Sequence, residues 1–588
     1  MGALAAKYDM ITALAAGSSR QFTLNFSRGA DAMKFYRLAA LVFGLCAGLL
    51  SSVQAATETV PQLGLPSDVM ASMQGIDPHR IAEHVRFLAN DLLEGRGTGT
   101  RGGDIAANYI AAQFALYGLK PAGDNGTFLQ RVDFVGEHTL PGTTASLQPA
   151  HGAATDLKLA EDFVVGNQTQ TDSADVDAPI VFVGYGIEAP EYKWDDFKGV
   201  DVKGKVVLVI VNEPPSKDPK FFNGEALTYY GRWTYKFEEA ARKGAVGALI
   251  IHRTDLASYG WDVVRNSWSA EQVALGNDKD PKLKAAAWIQ LEVARKLMSA
   301  ANLNLDEMIT VAGTRQFQAK ELPVRFKAHI ESTVRKFVSY NVLGLLPGQP
   351  GGGQAVAYSA HYDHLGIDPT LTGDNIYNGA VDNGTGCGIL LEMAHAFSSS
   401  AARPPSPVLF AAVTAEEKGL LGSNYLGKHL PIPAAKIALD LNYDAILPMG
   451  MPQSVNVTGA ERTSFYPTVE KTAAAFGFEI QPDAEPGAGH YYRSDHFSMA
   501  RAGVPAFSIN TGVKFVGHPP EWGKAQHEEY TAKHYHRPSD EFLPSMDFTS
   551  DAAVAKFGFA LGWQAMLARG SVNWLPGDEF EATRLHGT

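Results

Sequence analysis

The chain has 588 residues, too many for one ordinary core, so two to four domains are expected; its 45% hydrophobic and 10% aromatic content suits packed structure and excludes a largely disordered chain. A formal charge of −13 excludes the basic surface that nucleic-acid binding requires. With only two cysteines, the fold must be held by its core rather than by disulfide staples.

From Met33 the chain reads as a beginning of its own. Lys34 and Arg37 form a basic n-region, residues 38–50 an apolar h-region, and Val53-Gln54-Ala55 a small-residue cleavage site. The apolar run is too short to span comfortably as a permanent helix, and no later run reaches transmembrane length. The expectation is a secretory signal preceded by an upstream extension, residues 1–55 together, with the mature chain starting near Ala56 and residing in the bacterial periplasm or outside the cell. Removing residues 1–55 takes away five basic and two acidic residues and moves the net charge from −13 to −16. Cys46 leaves with the signal, and Cys387 remains alone.

A helical stretch at 78–93 leads into the glycine-rich loop Glu94-Gly95-Arg96-Gly97-Thr98-Gly99-Thr100. In the next helix Ile105, Tyr109, Ile110, Phe114 and Leu116 recur near helical spacing, and Gly118 is placed to end it. Between 140 and 320 the texture changes to short β-branched runs, 180–183 and 206–211, with one helix at 237–243 leading into a strand at 248–252. This predicts a smaller, β-rich α/β domain, 140–320, inserted between a first part at 56–139 and a main part at 321–588. From 341 onward strands at 355–360, 408–413, 437–441 and 506–509 alternate with helices such as 388–397. That alternation argues for an α/β fold with a doubly wound, mostly parallel sheet and helices on both faces. Ligands of such sheets gather beyond the carboxyl ends of the strands.

The chemistry-bearing residues follow those strand runs. His361 and Asp363 lie two apart, and Asp382 sits in Gly379-Ala380-Val381-Asp382-Asn383-Gly384-Thr385-Gly386. Imidazole and carboxylate together suit catalytic zinc, and Asp363 is close enough to orient His361 as an outer carboxylate does. The strand at 408–413 runs into Thr414-Ala415-Glu416-Glu417, where diverging side chains let one carboxylate hold a metal while the other faces a reacting water. Asp444 follows the next strand, with Asp440 as its rival, and Tyr535-His536-Arg537-Pro538-Ser539-Asp540 supplies His536, with His534 as its rival. His-x-Asp alone is equally a polar loop, and Glu-Glu alone a solvated helix start. Together, His361, Asp382, Glu417, Asp444 and His536 suit two metals with one carboxylate shared, and Asp382 on its glycine-flanked loop is the natural bridge.

In this order, with Gly419-Leu420-Leu421-Gly422-Ser423 and Arg493-Ser494-Asp495-His496-Phe497, the motifs resemble the leucyl-aminopeptidase-type zinc exopeptidases, metallopeptidase family twenty-eight, over about 335–560 and again at 80–135. The resemblance implies the zinc exopeptidase fold and two zinc ions, one on His361, Asp382 and Asp444, the other on Asp382, Glu417 and His536, with Glu416 as general base. It also places Tyr491, ahead of its neighbour Tyr492, at the oxyanion. Relatives can carry a disulfide near this segment; Gly489-His490-Tyr491-Tyr492 offers no cysteine. Val183-Gly184-Tyr185-Gly186-Ile187 and Gly244-Ala245-Val246-Gly247-Ala248 make the insert similar to a protease-associated domain.

The expectation is therefore an exported di-zinc aminopeptidase acting on peptides with a free N-terminus, without nucleic acid and without a membrane span once the signal is removed. A carboxypeptidase or dipeptidase using the same site is the rival enzyme. A glutaminyl cyclase would use one zinc and is disfavoured by the full ligand set. A non-catalytic binding homologue would have lost ligands or the base.

Overall fold

The computed structural model describes residues 63–257, 259–276, 278–568 and 572–586; the expected signal and upstream extension lie outside the described residues. The first helices are α1 (Ser67–Gln74), α2 (Pro78–Leu88) and α3 (Arg101–Leu116). α2 starts where the Asp77 side chain accepts from His79 N with Pro78 at the first helical position. It ends five residues earlier than the apolar pattern suggested. Asn90 caps a new, tighter turn through Leu92 N, and Glu94, Gly95 and Arg96 then take positive φ, which no α-helix accommodates. α3 is capped by Thr100 and is followed by Gly118 at φ +76°.

The strands and later helices are β1 (Leu129–Thr139), β2 (Phe163–Gly166), β3 (Ser173–Phe182), β4 (Val206–Ile210), α4 (Trp233–Arg242), β5 (Gly247–Ile251), β6 (Ala285–Ile289), β7 (Lys320–Leu346), β8 (Ala355–His361), α5 (Gly386–Ser399), β9 (Val408–Val413), β10 (Ile437–Asn442), β11 (Ala506–Ser508), α6 (Trp522–Lys533) and α7 (Thr549–Leu567). Ten of these strands run through one continuous 15-stranded sheet in the order β11-β10-β8-β9-β7-β3-β4-β5-β6-β2, and β1 pairs with β7 off this path. Pairing is parallel within β11-β10-β8-β9 and within β3-β4-β5-β6, and antiparallel at β7 and β2.

β8 and β9 show why both faces are covered. Val356, Tyr358, Ala360, Phe410 and Ala412 enter a core built with α2, α3, α5 and α7, while Ala355, Ala357, Leu409, Ala411 and Val413 enter another with Leu426, Phe497 and Met499. Successive side chains on a strand point to opposite faces, so a run apolar at every position must be covered twice.

The element that the sequence pattern did not reveal is β7. It is 27 residues long and crosses the boundary expected at 320–321. Leu322, Val324, Phe326, Ala328 and Ile330 alternate as a half-buried strand should. The run Thr333-Val334-Arg335-Lys336-Phe337 then loses the alternation, because there the strand leaves one core for another. Its first half pairs with β3, from Lys320 opposite Phe182 to Glu331 opposite Ser173. Its second half pairs with β1, from Ser332 opposite Thr139 to Val342 opposite Leu129. Residues 145–330 nevertheless supply two cores to which no residue outside that range contributes. Among the described residues no helix is long and apolar enough to cross a membrane.

Candidate metal centre

The strand ends assemble the centre. β8 finishes on His361, whose carbonyl accepts from the buried Cys387 thiol at 3.1 Å. His361 Nδ1 faces the Asp363 carbonyl oxygen at 3.1 Å, which can only accept, so Nδ1 carries a proton and Nε2 is the nitrogen turned to the carboxylates. That Nε2 lies 3.1 Å from Asp444 Oδ1 and 3.3 Å from Asp382 Oδ1. The Asp363 carboxylate, expected to orient the ring, is 3.9 Å from Nδ1; it accepts instead from Glu416 N at 3.1 Å and Thr98 Oγ1 at 2.9 Å. Its backbone orients the histidine and its side chain fixes the strand end that carries the paired glutamates.

Asp382 is held from two sides. Val381 N and Asp382 N donate to the two oxygens of Asp540, each at 3.0 Å, so the turn after His536 grips the loop of the shared carboxylate. On the other side Arg96, wholly buried, donates to the carbonyls of Leu88, Tyr362, Asn378 and Gly379 at 2.5 to 2.8 Å. It ties the segment after His361 to the segment before Asp382. Gly379 is at φ +56°, and a Cβ there would lie 2.2 Å from Asp382 O and 2.7 Å from the His364 ring, so this turn admits only glycine.

The remaining donors close on the same place. His536 Nε2 is 3.2 Å from both Asp382 Oδ2 and Glu417 Oε2. Asp382 therefore turns one oxygen to His361 and the other to His536. Asp444 Oδ2 accepts from Ser494 Oγ at 2.6 Å, and Ser494 in turn accepts from Asn442 on β10 at 2.8 Å. Of the rivals, Asp440 is buried within β10 and accepts from Ser359 at 3.1 Å, and His534 is bonded to Ser539; neither joins the cluster. Donor atoms of His361, Glu416 and Asp444 lie within 4.8 Å of one another, as do those of His364, Asp382 and Glu417.

Neither tyrosine of the 489–492 segment hydrogen-bonds to these groups. Tyr491 OH donates to the Ala506 carbonyl at 3.1 Å beneath the Arg462 guanidinium, and Tyr492 OH donates to Glu579 at 2.6 Å. Tyr535 and His364, which the sequence reasoning passed over, do stand at the site. Tyr535 stacks on His536 with centroids 3.9 Å apart, and burial together with Asp382, Glu417, Asp444 and Glu416 raises its phenol's pKa. The only sequence signal for either was adjacency to a ligand motif.

The electrostatics are those of a site built for positive charge. Burial alone would lower the imidazole pKa values and raise those of the carboxyls. Yet the carboxylates hold His361 well above the usual imidazole range and lift His536 to about 10. Hydrogen bonds from His361 and His536 bring Asp382 well below its normal value, and those from His364 and His536 bring Glu417 to about 2. Glu416 is the exception. Burial, with Glu417, Asp444 and Asp495 nearby, pushes it well above the carboxylate range despite His361. Separations of 3.1 to 3.3 Å between donors match the edge of a zinc tetrahedron, about 3.3 Å for bonds of about 2.0 Å, and the nitrogen–oxygen donor set is one zinc accepts. His361, Asp382, Asp444, Glu417 and His536 could therefore hold such ions, with Glu416 near enough to His361 and Asp444 to be a further donor.

Residues 341–557 match the sequence model described as Peptidase family M28, so the chain carries a peptidase M28 domain. Leupeptin-inactivating enzyme 1 of Streptomyces exfoliatus is 28% identical over 262 residues, 44% of this chain and 56% of that protein. Aminopeptidase YwaD of Bacillus subtilis (strain 168) is 28% identical over 228 residues, 38% of this chain and 43% of that protein. The chain thus spans about half the length of these curated relatives. Among solved structures, an aminopeptidase from Aneurinibacillus sp. strain AM-1 is 17% identical, with a TM-score of 0.46, over 86% of this chain and 96% of that one.

Proposed function

We propose that the chain is an exported aminopeptidase that uses two zinc ions, one on His361, Asp382 and Asp444 and one on Asp382, Glu417 and His536. The observation that carries this reading is the shared Asp382, whose two oxygens face two different histidines, His361 and His536, across a buried carboxylate cluster. Zinc bound there supplies Lewis-acid activation of water and carbonyl, and the positive charge that lets Glu416 ionise.

The chain's own residues do the rest. Glu416 takes a proton from the attacking water on its carboxylate and returns it to the leaving amine. Asp363 holds the Glu416 backbone in place, and Ser494 orients Asp444. The cluster of Asp382, Glu416, Glu417 and Asp444 carboxylates favours the cationic α-amine of a peptide over a C-terminal carboxylate. One nearby cation, Arg96, is buried and engaged by four carbonyls, so it is not offered to a substrate carboxylate. The signal-like run from Met33 to Ala55 supports export, and the insert, with its own cores, is read as a protease-associated domain that restricts access for peptides.

Turnover of a panel of aminoacyl amides and N-blocked peptides, with zinc measured on the same sample, tests this. Hydrolysis of the free-amine substrates alone, with about two zinc ions per chain, is expected. Preference for the N-blocked peptides would mean a carboxypeptidase, and no turnover with zinc bound would mean a binding homologue.

A further inference from the structure

His364 takes no part in the ligand set above, yet it lies in the middle of the site. Its ring is wholly buried, wedged beside Gly379, and its backbone N donates to the Arg96 carbonyl at 3.3 Å. Nδ1 is 2.7 Å from Glu417 Oε1, while Nε2 has no hydrogen-bond partner among the described residues. Glu417 is thus divided: Oε1 belongs to His364, and Oε2 faces His536 Nε2 at 3.2 Å beside Asp382 Oδ2.

We propose that His364 is a positioning residue that donates Nδ1–H to Glu417 Oε1, so that Glu417 presents only Oε2 to the metal site shared with Asp382 and His536. The inference rests on the di-zinc reading above. The distances favour a hydrogen bond over direct ligation. Two atoms on one zinc stand about 3.3 Å apart, as His536 Nε2 does from both carboxylate oxygens, whereas 2.7 Å is a charge-assisted N–H···O length and Asp382 Oδ2 is 4.0 Å from His364 Nδ1. An ionised Glu417 can only accept, so the proton must sit on Nδ1. The cradle explains the wedge: Gly379, Arg96 and the Asp382 loop hold the ring where it cannot swing away from Glu417.

Two measurements on the full chain test this. In a crystal structure of the zinc-loaded protein, His364 Nδ1 should stay within hydrogen-bond distance of Glu417 Oε1 and about 3 Å or more from either ion; a bond of about 2.1 Å from His364 to zinc would overturn the proposal. In zinc titrations against a competing chelator, His364→Phe, which fills the space without a donor, should weaken the second equivalent about 10- to 100-fold and leave the first unchanged. His364→Asn, whose amide can place an N–H near the Nδ1 position, should recover most of that loss. Equal losses in the Phe and Asn variants, or no loss in either, would overturn it. The first equivalent reports folding of each variant. Fewer than two equivalents in the unmodified chain would instead refute the di-zinc reading, so the two failures are distinguishable.

Discussion

The adjacent glutamates differ in what they touch. Both oxygens of Glu417 meet imidazoles, His364 and His536, whereas Glu416 stands with His361 and Asp444 and has its backbone pinned by Asp363. Glu416→Gln should therefore fold, keep its zinc and lose about a hundred- to ten-thousand-fold in turnover, while Glu417→Gln should also lose zinc. Metal analysis beside steady-state kinetics checks this, and zinc loss confined to the Glu416 variant would reverse the assignment. Tyr491 poses the opposite question. With its hydroxyl on the Ala506 carbonyl, Tyr491→Phe is expected to cost about 1 kcal/mol of stability and to change turnover only a few-fold. A drop of about a hundred-fold or more would restore the phenol to the oxyanion.

Helices α2 and α3 meet through a buried imidazole. His84 bonds to Tyr109 OH at 2.8 Å and Tyr117 OH at 3.2 Å, and burial, aided by Arg80 and His395, lowers its pKa to about 4. The unfolded value is about 6.5, so the folded state prefers the neutral ring. The stability this contributes is complete above about pH 6.5 and is lost as pH falls towards 4, on the order of 3 kcal/mol in all. In urea melts between pH 7 and 4, His84→Gln should start less stable but lose less on acidification than the unmodified chain. An unchanged slope would mean that the imidazole is accessible to protons in the fold. The same helices set the end of α2, and with it Arg96. The glycine-rich loop was visible in the sequence. That its arginine would be buried, bonded only to carbonyls and placed between two ligand segments was not, since those carbonyls come from residues up to 283 positions away.

Across the whole chain, β7 decides what can be removed. Excising 140–320 would leave Phe326, Ala328 and Ile330 without their β3 partners, and these three with Leu322 and Val324 without the core they enter. A chain cut there should aggregate. Joining Thr139 to Ser332, which face each other across β1 and β7, through a short turn should give a soluble, folded domain, as judged by size-exclusion chromatography and circular dichroism. If both behave alike, the shared strand does not couple the two regions. Residues 227–238 also touch the segment that carries Ser494. Leu227 N donates to the Pro486 carbonyl, Tyr229 packs on Phe497, and Glu238 receives Tyr229 OH and pairs with Arg501. Aminoacyl-amide turnover by the shortened domain will show how far the Ser494–Asp444 contact depends on that docking.

Local rules made much of this legible. Apolar runs marked β8, β9 and β10, and polar residues immediately after them had to lie at one edge of a parallel sheet, so His361, Glu416, Glu417 and Asp444 could be picked out before any coordinates. Asp382 and His536 depart from the expectation that every candidate follows a strand run: Asp382 lies in the turn at 380–385 and His536 after α6, and both were legible only from their turn motifs. What only the tertiary structure decided depends on which distant groups meet. His364 serves Glu417 because β8 and β9 end side by side; Asp363 acts through its carbonyl because its carboxylate is taken by Glu416 N and Thr98; and Tyr491 is turned to β11. Periodicity reports which face of an element is buried but not the partner across the gap, and a hydrogen-bond donor is assigned by that partner.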